Sequence, residues 1–174
     1  MTISPVLYSS RSEEWATPQA FFNKLDAEFH FNLDAAATAE NTKCQFYLSL
    51  DGENALLTRW VQGTRGTRIF CNPPYGKEIG AWFAKAREAQ ADGALVVMLA
   101  HARTDTKWWH THVQGVASEV RFIKGRLKFG DGKQSAPFPS AVIIYRPSEQ
   151  LPLPAQGEPQ SVETPLSTTV EPEE

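Results

Sequence analysis

An unbroken apolar run at Ala94–Ala100 constrains the fold of this chain more than any other segment. Seven consecutive apolar residues have the length of a β-strand and leave no polar side of that strand for water. A strand of this kind is buried on both faces, as in parallel sheets that carry helices on both sides. The run therefore predicts a central strand in an α/β fold.

Helix and strand patterns alternate on both sides of this central strand. The first helix is predicted to begin with Thr17 as its N-cap and Pro18 in its first helical position, and to end near Phe29. Later helices are predicted at Ile79–Ala86, from apolar residues at helical spacing, and around Trp108-Trp109. The remaining strands are predicted at Phe31–Ala35, Gln45–Leu48, Arg68–Cys71, Glu119–Ile123 and Ala141–Tyr145. This order predicts a mostly parallel sheet flanked by helices, with an antiparallel hairpin at one edge.

The run Asn72-Pro73-Pro74-Tyr75 directly follows the predicted strand Arg68–Cys71. Proline cannot donate a hydrogen bond to a sheet, so the strand ends there. Open α/β sheets bind their ligands in loops at the carboxyl ends of strands. The run therefore places a polar acceptor, a rigid turn and an exposed aromatic ring at the position of a ligand site. The same residues also suit an ordinary Asn-Pro turn with a surface tyrosine.

These residue types suit methyl transfer to a planar amino group. The exocyclic nitrogen of adenine or cytosine, like a glutamine amide nitrogen, is a poor nucleophile because its lone pair is delocalised. The Asn72 side-chain oxygen and the Pro73 carbonyl would each accept one N–H and hold the nitrogen towards tetrahedral geometry. Tyr75 would stack on a base that has left the duplex. We therefore predict a catalytic loop formed by Asn72, Pro73, Pro74 and Tyr75.

Six segments of the chain, this loop included, follow one another in a recognisable order. They are Glu14–Pro18, Asn32–Ala37, Cys71–Gly76, Ala102–Trp108, Gly125–Leu127 and Ser135–Ala141. Together they resemble the phage-type DNA N6-adenine methyltransferase (Dam-like) family, over about residues 12–146. The resemblance implies a Rossmann-like class I methyltransferase fold, S-adenosylmethionine as the methyl donor, and adenine in double-stranded DNA as the acceptor. It also implies a phage or prophage origin.

The cofactor site is assigned partly from the same resemblance. Trp15, Thr17 and Pro18 correspond to the family's N-terminal cofactor motif, although Trp15 could instead fasten the first helix to the core. Asp51 and Asn54 lie about 20 residues past the first strand, where nucleotide-binding folds place an acidic ribose ligand. Their segment is rich in turn residues, so both also suit a plain turn.

Asp34 is the predicted ligand of the methionine ammonium group. Its carboxylate would accept hydrogen bonds just after the first strand, and the small side chains of Ala35 and Ala36 would let the cofactor approach the backbone. An Asp that caps a helix before an alanine-rich turn is the alternative. Asp34–Ala37 also stands where the family usually has a glycine-rich loop.

DNA contact is predicted for a glycine-containing basic connection between the last two strands. Its basic residues are Arg121, Lys124, Arg126, Lys128 and Lys133, and they face one acid, Asp131. Basic side chains on such a connection can follow phosphates without reading sequence, but they also suit a merely solvated hairpin. Arg103 and Lys107 would extend the same surface. No separate recognition domain fits the length, so specificity would come from short loops or from a second subunit in a homodimer.

Charge divides the chain into two predicted parts. All 17 Lys and Arg lie in residues 1–146, together with 14 of the 20 Asp and Glu, whereas residues 147–174 hold six Glu, six of the 12 Pro and no aromatic residue. The second part cannot bury enough apolar area to offset its ordering entropy. We predict a catalytic domain at 1–146 and a disordered acidic tail at 147–174, with competition between tail and DNA as the functional alternative.

The remaining composition predicts a cytoplasmic enzyme without a metal. No apolar run approaches 18 residues, and Met1–Pro5 shows no signal-peptide pattern. Cys44 and Cys71 lack the spacing of a zinc or disulfide framework and are predicted to be small core residues. If the chain is phage-encoded, the host cytoplasm is the expected location.

The sequence thus predicts an S-adenosylmethionine-dependent DNA adenine-N6 methyltransferase. Two alternatives retain the chemistry and change the acceptor, to cytosine N4 or to a protein glutamine amide. A third alternative is a nucleic-acid-binding module that has lost catalysis. The missing glycine loop favours this alternative, whereas the complete catalytic loop argues against it.

Overall fold

A computed structural model of the chain describes residues 15–49, 55–61, 66–130 and 135–147. Within these ranges the chain forms three helices and six strands. The helices are α1 (Gln19–Phe29), α2 (Ile79–Ala91) and α3 (Lys107–His112). The strands are β1 (Leu33–Ala37), β2 (Phe46–Ser49), β3 (Arg68–Cys71), β4 (Leu95–His101), β5 (Glu119–Phe122) and β6 (Ser140–Tyr145). No helix among the described residues is long and apolar enough to cross a membrane.

The six strands form one sheet in the order β2-β1-β3-β4-β6-β5. Strands β2, β1, β3 and β4 are parallel, and β6 is antiparallel to both of its neighbours, β4 and β5. Strand β5 consequently runs in the same direction as β4. The predicted mixed sheet, mostly parallel with an antiparallel hairpin at one edge, is confirmed.

The central strand is covered on both faces, as the apolar run predicts. Alternate residues of β4 belong to different cores: Val96 and Met98 pack with α2 and α3, whereas Val97 and Leu99 pack with α1. Strand β6 alternates in the same way, and all six of its residues are buried. The period of two along each strand thus divides one sheet between two apolar layers.

The first strand begins and ends later than predicted, at Leu33–Ala37 instead of Phe31–Ala35. His30 ends α1 in the left-handed conformation (φ 52°), and the Phe31 N–H donates to the Asp26 carboxylate at 2.7 Å. The Phe31 backbone therefore belongs to the turn, and its ring packs 5.5 Å from that of Phe70, centroid to centroid. As a result, Asp34 lies within β1 and not after it.

The ends of several strands lie together at one end of the sheet, perpendicular to its two edge strands. The parallel strands β1, β3 and β4 finish there with Ala37, Cys71 and His101. Because β6 is reversed, its first residue, Ser140, pairs with His101 at the same edge. Strand β5 also ends there, with Phe122 opposite Ala141. We refer to this side as the carboxyl edge.

Candidate active site

The predicted catalytic loop lies where sequence reasoning puts it, directly after β3 at the carboxyl edge. Strand β3 has the predicted bounds, Arg68–Cys71, and the Cys71 side chain is fully buried between the sheet and its helices. Burial raises the pKa of the Cys71 thiol. The loop therefore starts from a fixed point in the core, and Asn72 is the first residue past it.

The two polar atoms of the Asn72 side-chain amide differ in their hydrogen bonding. The nitrogen donates to the Trp15 carbonyl at 2.7 Å and to the Thr17 hydroxyl oxygen at 3.1 Å. The oxygen is buried and accepts no hydrogen bond from a described residue. Buried polar atoms are nearly always paired, so an unpaired acceptor in a cleft indicates a donor still to come.

The Pro73 carbonyl is the second predicted acceptor, and it too receives no backbone hydrogen bond from a described residue. Pro73 is buried while Pro74 is half-buried, so the loop turns with its first proline against the protein. Proline lacks an N–H and fixes φ, which makes the turn rigid. The two predicted acceptors therefore belong to adjacent residues at the start of a rigid turn.

Tyr75 is not the exposed ring that the sequence predicts. It is half-buried, and its centroid lies 4.8 Å from that of His101, 5.3 Å from Phe138 and 6.4 Å from Trp15, whose ring is inclined by 30°. Burial raises the pKa of the Tyr75 hydroxyl, which stays neutral. The prediction of exposure was wrong because these neighbouring rings come from segments distant in sequence.

Asp34 faces the same cleft from β1. Its carboxylate accepts the Ala36 N–H at 3.3 Å and the Lys43 N–H at 3.1 Å. Only 3% of the residue is exposed, and burial raises the pKa of this carboxyl to about 6 in spite of the two hydrogen bonds. A nearly buried acid of this kind favours a cationic neighbour, which would stabilise its ionised form.

A single cleft unites the catalytic loop with most of the predicted cofactor residues. Its empty volume is about 430 Å³, including space that is open to solvent, and it is lined by Trp15, Ala16, Thr17, Asp34, Ala36, Asn41, Lys43, Phe70, Asn72, Pro73, Pro74 and Tyr75. Two predicted cofactor residues lie elsewhere. Ala35 points to the opposite face of β1, where it is fully buried in the core below α2, and Pro18 directly precedes α1 without lining the cleft.

Thr17 does not cap α1 as predicted. Pro18 occupies the cap position, and no side chain there accepts a hydrogen bond from the helix. The Thr17 hydroxyl accepts the Asn72 amide instead, and the residue is 5% exposed. The hydrogen bond between Thr17 and Asn72, which are 55 residues apart, thus replaces the helix cap that the local sequence predicts.

Sequence reasoning missed four residues of the cleft: Ala16, Asn41, Lys43 and Phe70. Asn41 and Lys43 belong to the turn after β1, and the rule that ligands bind at strand ends would have found them. The Asn41 side chain accepts the Thr38 N–H at 2.7 Å and shapes that turn. Phe70 carries no functional signal in the sequence, because it is one of three consecutive apolar residues of β3, all of them buried.

The predicted DNA-binding residues separate into two groups. Arg103, Lys107, Lys124, Arg126 and Lys128 are exposed, and none of these five forms an ion pair with a described residue. In the connection after β5, Leu127 and Phe129 pack against the core, whereas the residues that alternate with them, Arg126 and Lys128, are exposed. All five therefore remain available to an anionic partner near the carboxyl edge.

Arg121 belongs to a different environment. It lies in strand β5, forms ion pairs with Glu28 at 2.6 Å and Glu119 at 2.6 Å, and its guanidinium lies 5.4 Å from the Phe29 ring centroid. With its charge engaged by two carboxylates, Arg121 joins β5 to α1, and its contact with DNA stays a prediction. Lys133, Asp51 and Asn54 lie outside the described residues.

The sequence was compared with known families and proteins. Residues 6–155 match the profile of the family described as DNA N-6-adenine-methyltransferase (Dam). The DNA N-6-adenine-methyltransferase of Haemophilus phage HP1 is 25% identical over 145 residues, which cover 79% of this chain and 81% of the phage protein. The DNA N-6-adenine-methyltransferase of Escherichia phage T1 is 30% identical over 114 residues, or 65% of this chain and 45% of that protein. Because the family profile spans most of its length, this chain belongs to the DNA N-6-adenine-methyltransferase (Dam) family.

Proposed function

We propose that this protein transfers a methyl group from S-adenosylmethionine to N6 of adenine in double-stranded DNA. The observation that carries the proposal is the buried, unpaired oxygen of Asn72 at the carboxyl edge. It suits an amino group that arrives with a substrate. The family profile and the names of the two phage relatives support adenine as the base.

Asn72 and Pro73 prepare the acceptor nitrogen. The Asn72 oxygen accepts one N–H and the Pro73 carbonyl accepts the other, which draws the lone pair out of conjugation with the ring. The rigid turn fixes both oxygens before the base arrives, so little reorganisation is needed at the moment of reaction. No strong general base is required, because the proton leaves to solvent after methyl transfer.

The cofactor is assigned to the Asp34 side of the cleft. S-adenosylmethionine supplies an electrophilic methyl group on a sulfonium, and its methionine part carries an ammonium. Asp34 suits the ammonium because a buried carboxylate with a raised pKa gains from a nearby cation. Trp15, Thr17 and Ala36 line the same cleft, whereas the glycine-rich loop usual in the family is replaced by strand β1.

We also propose that the fold is of the Rossmann-like class I methyltransferase type. The strand order, with parallel strands followed by a reversed strand between the last two, supports this assignment. The ligand cleft at the carboxyl edge agrees with the behaviour of open α/β sheets. Residues 1–146 would form the catalytic domain and 147–174 an acidic tail.

DNA would bind along the five exposed basic residues, with the flipped adenine entering the cleft beside Tyr75. Phosphate contacts set the orientation of a duplex without reading its sequence, so recognition rests on short loops or on a second subunit. The tyrosine ring would stack on the base, as base-modifying enzymes require. The substrate would be met in the cytoplasm of the host cell.

Nucleoside mass spectrometry tests the proposal. DNA from a methylation-free host that expresses this chain should contain N6-methyladenine, and DNA from the Asn72→Ala control should not. N4-methylcytosine without N6-methyladenine would move the substrate to cytosine. Unmodified nucleosides together with methylated protein glutamine would remove DNA as the substrate, and no product with intact DNA binding would indicate a decayed module.

A further inference from the structure

We propose that Thr17, together with the Trp15 carbonyl, is a positioning device that orients the Asn72 amide for catalysis. This inference rests on the proposed function and assigns Thr17 a role towards Asn72 in place of the predicted role towards the cofactor. The relevant contacts are the two hydrogen bonds from the Asn72 nitrogen, at 2.7 Å to the Trp15 carbonyl and 3.1 Å to the Thr17 hydroxyl.

The orientation of the Asn72 side chain has to be fixed because its amide carries a donor nitrogen on one side and an acceptor oxygen on the other. Rotation about the last side-chain bond is broad and nearly two-fold, so nitrogen and oxygen can exchange places at little intrinsic cost. Only the oxygen can accept a hydrogen bond from the substrate amino group, whereas the amide nitrogen would place its own N–H groups against those of the substrate. An unfixed amide would therefore spend part of its time in an unproductive orientation.

The Trp15 carbonyl determines which orientation is adopted. A backbone carbonyl only accepts hydrogen bonds, so the amide atom 2.7 Å from it must be the nitrogen. Thr17 reinforces this choice, because its hydroxyl oxygen accepts a second hydrogen bond from the same nitrogen. With the nitrogen held by these two acceptors, the oxygen has no partner among the described residues.

The segment that carries these two acceptors is itself fixed in place. Thr17 is 5% exposed, and the Ala16 carbonyl accepts the Gly130 N–H at 2.9 Å. The Trp15 ring lies 4.9 Å from Phe138 and 5.5 Å from Phe129, centroid to centroid. A side chain held by supporting contacts keeps the geometry that a reaction requires.

Thr17→Val and Thr17→Ser form a matched pair for the test. Valine has the shape of threonine without the hydroxyl, and serine keeps the hydroxyl without the methyl group. For Thr17→Val we expect kcat at saturating S-adenosylmethionine to fall about tenfold, the effect of one hydrogen bond, while the dissociation constant of the cofactor changes less than about twofold. Thr17→Ser should retain kcat within about twofold.

A Thr17→Val protein whose saturated kcat equals that of the wild type would overturn the proposal, and weaker cofactor binding alongside it would make Thr17 a cofactor ligand. The wild-type protein provides a second test that needs neither the folding of Thr17→Val nor enzymatic activity. In NMR spectra the two Asn72 amide protons, assigned by their loss in Asn72→Ala, should exchange slowly with solvent. Fast exchange would show that the amide is not held, even if N6-methyladenine formation stands. Absence of that product with slow exchange would leave the orientation intact and remove the proposed function.

Discussion

Two polar side chains that line the cleft, Asn72 and Asp34, differ in how many of their hydrogen-bonding atoms have a partner within the protein. The Asn72 oxygen has no partner among the described residues, whereas the Asp34 carboxylate already accepts two backbone N–H groups, from Ala36 and Lys43. One group is unpaired before a ligand arrives, and the other is partly paired within the fold. The difference indicates that Asn72 acts on the acceptor nitrogen through the position of its oxygen, whereas Asp34 acts on the cofactor through its charge.

Asp34 also shapes the backbone that lines the cleft. Its hydrogen bond to Lys43 fixes the turn between β1 and β2, so the carboxylate shapes the backbone of the cleft. A carboxylate has capacity for about four hydrogen bonds, which leaves room for an ammonium beside the two N–H groups. Changes at Asn72 should therefore affect turnover, and changes at Asp34 should affect binding.

The largest expected effect follows from Asn72→Ala. Removal of the acceptor oxygen should lower turnover at least about 100-fold, the scale for loss of one preorganised electrostatic partner, and should leave cofactor affinity nearly unchanged. Steady-state methylation and calorimetric titration with S-adenosylmethionine measure the two quantities. An Asn72→Ala enzyme that keeps wild-type turnover would remove Asn72 from the catalytic role.

Asp34→Ala should show the opposite behaviour. Cofactor binding should weaken by about 1.5–3 kcal/mol, the range for a hydrogen bond that involves a charged group, with a smaller change in turnover at saturation. Asp34→Asn keeps the size of the side chain and serves as the control for the turn near Lys43. Unaltered binding in both variants would place the ammonium elsewhere in the cleft.

The pH dependence of cofactor affinity makes this contrast sharper. Burial raises the pKa of Asp34 from 3.8 to about 6, so the free protein loses this proton around that pH. A cationic ammonium binds the ionised form, so affinity should rise with pH through about 6 and then level off. The folded state also holds this proton more tightly than the unfolded state, so stability should fall as pH rises from about 4 to about 6. Titrations with Asp34→Asn should lack both dependences.

Substitutions of Tyr75 test whether its ring stacks on the adenine that accepts the methyl group. Tyr75→Ala should reduce the transition-state stabilisation by about 1–3 kcal/mol, the worth of base–aromatic stacking, and Tyr75→Phe should reduce it much less. The hydroxyl lies 3.5 Å from the Leu99 carbonyl, a weak contact whose loss should matter little. Equal losses of kcat/KM in the two variants would show that the hydroxyl, and not the ring, carries the function.

The basic residues should have a smaller effect, visible mainly through salt. Lys124→Gln, Arg126→Gln and Lys128→Gln should each lower the slope of log affinity for DNA against log salt by about one unit for a lost phosphate contact. The methylated base should stay the same. Arg59→Gln is the control, because Arg59 pairs with Asp92 at 2.7 Å, at the opposite edge of the sheet, and should leave the slope unchanged.

The local parts of the fold were predictable from sequence, and the long-range contacts were not. Strand β3 has its predicted bounds because two prolines end it at once. The Thr17 cap and the exposure of Tyr75 failed because each depends on a partner far along the chain. The alternation of β1 similarly separates Asp34 and Ala36 from Ala35, which no loop assignment would have shown.

The reversed direction of β6 has a consequence for how such an enzyme can diversify. Its amino end lies at the carboxyl edge, so the connection from Phe122 to Ser140 leaves and re-enters the sheet at adjacent points, with Phe122 opposite Ala141. Closing a longer loop between ends that are already neighbours costs only about 0.6 kcal/mol for each doubling of its length. Insertions beside its exposed residues Lys124 and Arg126 would therefore enlarge the surface proposed to meet DNA while Phe129 and Phe138 keep their packing, which makes this part of the connection the natural place for new sequence specificity to arise.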